Sequence, residues 1–443
     1  MLYSGKDLRK LIIPLLIEQV LAIAVGMADT IMVSAAGETA VSGVSLVDTV
    51  NILLINVFSA LATGGAVVAG HFLGKKKKEE ACRTAWQILL FATLLAILIS
   101  AVFLTAHDPL LHLIFGKTDE AVMRASKTYL IITAWSFPAL AAYNSCAALF
   151  RAMNSAKVTM WVSLLMNGIN LVGNAVCMFG LHMGVEGVAI PTTVSRYVAA
   201  AVIFAMMFCG EKEISLRGQV TVRFDGKLIK KILYIAVPNG LENSMFQLGK
   251  ILVISAVSTM GTAAIAANAV ANTLASWNNL PGMAINLALV SVVSVCVGAG
   301  EYGQARYYTK KLCRAAVIGI SCISAVMFFA VPTLVTFYNL GPEAAKMSVD
   351  VIRFHTVMSM LIWVPSFTLP NTLRAAGDVV WPMSIAIVSM WLFRVVAAYV
   401  FTYVFHFGLL AVWAAMVIDW AVRAVFYVIR YRGHKWERFG QRS

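Results

Sequence analysis

Nine ionisable side chains stand inside long apolar runs of this 443-residue chain: Glu18, Asp29, Asp48, Arg196, Glu242, Lys250, Arg394, Asp419 and Arg423. Such a group in hydrocarbon costs about 2.5–3.5 kcal/mol on insertion scales, so each is a candidate for work on an ion or a charged ligand. The acids can load and release a proton or a cation, because an uncompensated charge is costly away from water. The bases can pair with those acids or hold an anion. Asn170 and Asn174 add amide oxygens one helical turn apart, on one face of their segment.

Bond-making chemistry has no comparable set. H-E-x-x-H and G-x-S-x-G motifs are absent. The nearest thing to a phosphate loop, Gly70-x-x-x-Gly74-Lys75, is one residue short between its glycines and has Lys76 where Ser or Thr would hold magnesium. Seven cysteines (Cys82, Cys146, Cys177, Cys209, Cys296, Cys313, Cys322) show neither metal spacing nor a disulfide framework and read as packing residues. The chain is not expected to be an enzyme or to need a metal or cofactor. Uphill work without a fuel-burning domain would draw on an ion gradient.

The elements that position these residues follow from composition. The chain is 60% hydrophobic and 13% charged, against about a quarter charged in soluble domains. Apolar segments fall at about 11–34, 46–72, 86–106, 128–150, 158–180, 187–209, 228–258, 270–297, 312–339, 348–372, 380–403 and 408–430. Each is long enough for a transmembrane helix of about 20 residues. The expectation is an all-α polytopic membrane protein of twelve spans with no large domain outside the bilayer. The first run is too long for a signal core and no cleavage site follows it, so it reads as a retained span.

The net charge of +14 is read as orientation, not as a nucleic-acid surface, since no basic stripe with interleaved aromatics exists. Twenty-six Lys and Arg fall on the tails and the loops of their side. Five fall opposite: Lys117, Arg124, Lys127, Lys346 and Arg353. Both termini are therefore expected in the cytoplasm. Lys75–Lys78 serve orientation, with some contact to anionic lipid.

The chain also repeats itself. A shift of 224 residues superimposes Pro14 on Pro238, Glu18 on Glu242, Gly37 on Gly261, Gly74 on Gly298, Ala81 on Ala305, and His182-x-Gly184 on His406-x-Gly408. RAMNSAKVTM meets RAAGDVVWPM at a shift of 223. Six spans per copy is even, so both copies enter on the same face, as in parallel-repeat transporters. The expected organisation is an N-lobe at 1–209, a polar cytoplasmic linker at 210–227 and a C-lobe at 228–443. The two pseudo-symmetric six-helix lobes would flank a central cleft. No carbonyl filter of a channel is present.

The segments PLLIEQVLAIAVGMADTIMVS (14–34) and VPNGLENSMFQLGKILVISAVSTMGTAAIAANAVAN (237–272) resemble the multidrug and toxic compound extrusion (MATE) family of cation-coupled drug antiporters. The G-x-K corner after span 2, the R-A-x-x-x turns after spans 4 and 10, and the duplication agree with it over essentially the whole chain. The resemblance implies that Asp29 is the carboxylate that takes the proton or sodium ion, with Asn170, Asn174 and Thr193 beside it as the remaining ligands. Many members have Asp where this chain has Asn174, and one carboxylate favours a proton over sodium. The family's C-lobe acids are matched by Phe246 and Trp363, so that site is expected to be missing.

Each reading has a structural counterpart. Asp29 is otherwise a carboxylate bonded to neighbouring helix ends, and the asparagines are polar glue between helices. Glu18 and Glu242, one turn after Pro14 and Pro238, either bind a cationic substrate or couple a second ion, or else pin the lobes near the cytoplasm. Lys250 pairs with Glu242, binds an anionic substrate group or mimics a cation, and Arg394 does similar work. Asp419 and Arg423 are spaced to neutralise one another, Arg196 snorkels or pairs, and Asp48 lies near the outer interface.

Met27, Phe246, Trp277 and Met283 are expected to form an adaptable cleft wall, and Pro14 and Pro238 to act as hinges. The implied function is efflux of lipophilic, often cationic compounds from a bacterial cytoplasmic membrane by a monomer, with membrane lipid as its other partner. A flippase or exporter of a lipid-linked or anionic metabolite of the same superfamily is the alternative. Uptake of a small nutrient would require another helix order, and an intramembrane enzyme lacks its catalytic set.

Overall fold

A computed structural model describes residues 2–34, 36–116, 119–210, 213–218 and 223–440. Lys117 and parts of the expected linker, 211–212 and 219–222, lie outside the described residues. The described chain is helical and holds no strand. It separates into two compact units, Tyr3–Gly240 and the residues from Leu241 onward together with Leu2.

The N-terminal unit contains α1 (Gly5–Ser34), α2 (Glu38–Gly74), α3 (Lys78–Thr105), α4 (His107–Phe115), α5 (Glu120–Ala134), α6 (Phe137–Ala152), α7 (Ala156–Ala175, continued by a wider π-helical turn to Gly180), α8 (Glu186–Cys209) and the first half of α9 (Gly226–Ser258). The C-terminal unit holds the rest of α9, then α10 (Thr262–Gly298), α11 (Tyr302–Thr336) and α12 (Pro342–Met358). There α12 passes through the π-helical stretch Ser359–Thr368 into α13 (Leu369–Ala375). The next span is α14 (Val380–Ser389), the π-helical stretch Met390–Val396 and α15 (Ala397–Tyr403), followed by α16 (Leu409–Arg432) and α17 (Glu437–Gly440).

Ten of these helical segments are long and apolar enough to cross a membrane. The other two expected spans are present as helices with identifiable departures. Pro138 has no N–H to give Ala134, so span 4 breaks into α5 and α6, and the Ser100 hydroxyl takes the freed Ala134 carbonyl at 2.7 Å. Helix α9 carries Asn239, Glu242, Asn243, Gln247 and Lys250 along its middle, a polar load that lowers its hydropathy. The apolar side chains left exposed, such as Phe329 at 79% and Phe337 at 76%, suit contact with lipid tails rather than water.

The repeat is visible in the backbone. Helices α2 and α10 are both 37 residues long and begin and end 224 apart. Gly37 (φ 94°, ψ 170°) and Gly261 (φ 99°, ψ 169°) precede them in a conformation that is essentially restricted to glycine. His182 (φ 49°) and His406 (φ 51°), also 224 apart, share a left-handed turn.

Two parts of the N-terminal unit were not legible as such in sequence. Helix α4 occupies what reads as a loop after span 3 and is tied to α5 by Lys127 on Asp108 at 2.9 Å. The described part of the 210–227 segment is packed, with Ile214 and Leu216 fully buried. Gln87 on α3 holds it from both sides, donating to the Arg223 carbonyl (2.9 Å) and accepting from the Asp225 N–H (3.0 Å). The first half of α9 lies close along α2, where a Cβ on Gly64 would meet the Ile232 carbonyl at 2.7 Å. The unit therefore ends inside α9 rather than at the linker.

Candidate functional site

Each unit holds a cavity built from its own spanning helices. In the N-terminal unit α1 presents Val25, Asp29 and Val33 at helical spacing, and α2 presents Val41, Val44, Ser45 and Asp48, to a space of about 280 Å³. Helix α5 adds Tyr129, α7 adds Asn167 and Asn170, and α8 adds Thr192 and Arg196. The apolar members Val33, Val44, Tyr129 and Val188 are also part of the unit's buried core, which fixes the polar groups between them.

Asp29 is half-buried and accepts one hydrogen bond, from Asn174 Nδ2 to Oδ1 at 2.8 Å. The same amide reaches Asn170 Oδ1 at 3.3 Å, and Asn170 Nδ2 donates to Thr192 Oγ1 at 2.9 Å. Asp29, Asn174, Asn170 and Thr192 thus form one polar relay across α1, α7 and α8. No cation pairs with Asp29 among the described residues. Asp48 sits in the same cavity, accepting from Tyr129 Oη (3.2 Å) and Asn51 Nδ2 (3.3 Å). Arg196 enters from α8 and donates to Ser136 Oγ at 2.7 Å.

Of the four expected N-lobe ligands, the structure brings together Asp29, Asn170 and Asn174. Thr193 is turned the other way, its hydroxyl donating to the Ile132 carbonyl at 3.0 Å, and Thr192 stands in its place. One position on a helix is about 100° of rotation, enough to exchange the cavity for a neighbouring helix. Asp48, Tyr129 and Arg196 were missed as members of this cavity. Spacing offered a signal, since Asp48 falls in register with Val44 and Val41, but no motif pointed to it.

The two glutamates behave alike. Glu18 accepts from Arg151 Nη1 (3.5 Å) and the Thr159 hydroxyl (3.0 Å). Glu242 accepts from Arg374 Nη2 with both oxygens (2.6 and 2.7 Å). Each pair joins the first span of a unit to the turn after its fourth. The Arg partners stand in the R-A-x-x-x turns at a shift of 223, one residue from that of the glutamates, a signal present in the sequence. Lys250 does not reach Glu242.

In the C-terminal unit a cavity of about 380 Å³ is lined by Lys250, Val253, Ile254 and Val257 of α9, Asn268 and Asn272 of α10, Arg394, and Trp413 and Met416 of α16. Lys250 Nζ and the Arg394 guanidinium each lie 5.2 Å from the Phe246 ring centre. Arg394 is carried by the π-helical stretch, and Gly249 makes this approach possible, because a Cβ there would fall inside the Met390 side chain. Asp419 and Arg423 are paired at 2.7 Å, as their spacing suggests, and Ser389 holds the same carboxylate oxygen at 2.6 Å.

Met27, Trp277 and Met283 line neither cavity. Pro14 and Pro238 are buried inside α1 and α9, which run through them without interruption. Trp363 is buried and stacks on Phe367 at 5.3 Å.

A duplicated set of spanning helices with a cavity in each copy is the architecture of a polytopic membrane protein. The MatE family model matches residues 14–176 and again 238–400, twice over and in the same 224-residue register. The chain belongs to the MatE family, whose members are membrane transporters and not enzymes. It is 28% identical to an uncharacterized transporter, YisQ, of Bacillus subtilis, covering 96% of this chain and 94% of that one. It is 24% identical to a probable multidrug resistance protein, NorM, of Thermotoga maritima, covering 98% and 93%. Among solved structures it resembles a MOP superfamily transporter from Pyrococcus furiosus, with a TM-score of 0.90, 20% identity and coverage of 97% and 95%. That structure is described as having a binding pocket of reverse polarity that suggests a different function.

Proposed function

We propose that this chain is a cation-coupled efflux transporter that expels lipophilic, often cationic compounds by alternating access. Asp29 exchanges a proton in each cycle. The observation that carries this reading is a carboxylate lining a cavity with a single amide donor on it and no cationic partner. An acid so placed holds a proton or a cationic ligand in turn, and neutralising it releases the other. Asn174 in place of a second acid leaves the proton as the simpler coupling ion, since a bare sodium ion is better held by more fixed charge. Each charge moved through 100 mV supplies about 2.3 kcal/mol and each pH unit about 1.4, together enough for a gradient of roughly 2–3 decades of a neutral compound per proton, or about one decade per pH unit for a monovalent cation, whose own charge cancels the potential.

Purified protein in liposomes tests it: an imposed pH gradient should drive efflux of a fluorescent cation, and Asp29→Asn should abolish it. Undiminished efflux by that variant would end the proposal, and collapsing sodium and proton gradients separately identifies the ion.

A second reading, export of an anionic or lipid-linked metabolite, is favoured by one observation: the C-terminal cavity is cationic. The polarity ascribed to the Pyrococcus furiosus relative lends it support.

A further inference from the structure

We propose that the cavity of the C-terminal unit is an oxyanion site, taking a carboxylate or phosphate monoester carried on an apolar body. The proposal rests on the transporter reading above and not on which ion drives transport.

The two cavities are the same place in the two copies of the repeat. At the 224-residue shift, Val33 meets Val257, Val41 meets Ile265 and Val188 meets Val412, and all six line their respective cavities. The polar positions correspond too, but the balance of charge is reversed, from two acids and one base (Arg196, whose counterpart is Trp420) to two bases and no acid. Asp29 becomes Val253 and Asp48 becomes Asn272, so both acids are lost. Gly26 becomes Lys250 and Asn170 becomes Arg394, so two bases are gained. In the N-terminal copy a Cβ on Gly26 would meet nothing within 4 Å. In the C-terminal copy that position carries an ammonium group.

Neither base is neutralised by the protein. No carboxylate lies within ion-pairing distance of Lys250 or Arg394 among the described residues, and Arg394 is buried at 7% exposure with no partner on Nε. Asp419 Oδ1 is held by Arg423 and Ser389, its other oxygen has no hydrogen-bond partner, and its single charge is paired with Arg423. Glu242 is held by Arg374. Phe246 offers both cations its ring, 5.2 Å from each, which attracts without cancelling charge. Two positive charges facing one cavity, Arg394 buried and Lys250 half-buried, call for a counter-ion.

The surroundings describe that counter-ion. A guanidinium fork matches the paired oxygens of a carboxylate or phosphate, and the ammonium beside it adds a point charge. Val253, Ile254, Val257, Ile265 and Met416 supply an apolar wall. Trp413, fixed by its indole N–H on Asn268 Oδ1 at 3.0 Å, gives a flat aromatic face. The volume suits a small aromatic or aliphatic acid.

The full-length protein in nanodiscs tests this with three matched naphthalenes, 2-naphthoate, 2-naphthyl phosphate and 2-naphthylmethylammonium, their binding followed by equilibrium dialysis. The two anions should bind and the ammonium should not. Arg394→Gln and Lys250→Gln should each weaken anion binding about tenfold or more, with Lys250→Arg restoring it. Should Arg394→Gln fail to fold, the Lys250 pair carries the test from the half-buried side of the cavity.

Nanodiscs of phosphatidylcholine with and without phosphatidic acid, a lipid phosphate monoester, separate the two sources of the oxyanion. Competition by the anionic lipid assigns a headgroup, and undisturbed binding assigns a free acid. Equal binding of all three naphthalenes, or anion binding untouched in both Gln variants, overturns the proposal. Protein that binds anions yet fails to expel a cation under a pH gradient keeps this site and loses the efflux reading. Protein that expels the cation and binds no anion does the reverse.

Discussion

Glu242 and Arg374 are both mostly shielded, at 14% and 13% side-chain exposure, and two short contacts join them. Removing one partner strands the other, so Glu242→Gln should cost about 3–5 kcal/mol of stability. Adding Arg374→Met should return much of that loss, and a double-mutant cycle followed by thermal unfolding in detergent measures it. An additive double mutant would mean that the pair does not act as a unit. The sequence showed that both glutamates are equivalent and left open what they do. It omitted the arginines because these stand at the ends of apolar runs, where Lys and Arg are read as orientation signals. The exchange of Thr193 for Thr192 has another origin, since a family pattern locates a polar position to within a residue and the helical phase decides which neighbour faces the acid.

The helices themselves were the most legible level, because apolar length is what a bilayer demands and the chain writes it twelve times. What could not be read is where the helices deviate. The π-helical stretches at 359–368 and 390–396 carry the same apolar residues as ordinary helix, so hydropathy passes over them. Wider turns of this kind often mark functional sites, and one of them holds Arg394. The break at Pro138 had a visible cause, yet the compensating Ser100 hydroxyl came from another helix. Turn geometry was more transparent. Gly37 and Gly261 adopt equivalent backbone angles that a side chain resists, so Gly37→Ala and Gly261→Ala should each lower stability by about 1–3 kcal/mol. Melting curves of the two variants check this, and a Gly261→Ala protein that melts like the parent would count against the shared geometry.

At the scale of the whole chain, the unequal distribution of Lys and Arg predicts that both termini face the cytoplasm. Fusing a fluorescent protein or alkaline phosphatase to the C-terminal end tests this: the first should glow and the second should be inactive. The opposite result would invert every statement about inward and outward. The duplication was plain in sequence, and the matched family segments repeat it. What the repeat concealed was divergence inside its most protected positions, because a shift that superimposes prolines and glycines says little about the residues allowed to differ. No residue is common to the linings of the two cavities. Inheritance can therefore act on them separately. Were the proton taken up at Asp29 and an oxyanion held beside Arg394, a chimaera that took its first half from another member of the family would exchange its ion chemistry and keep its own preference among anions.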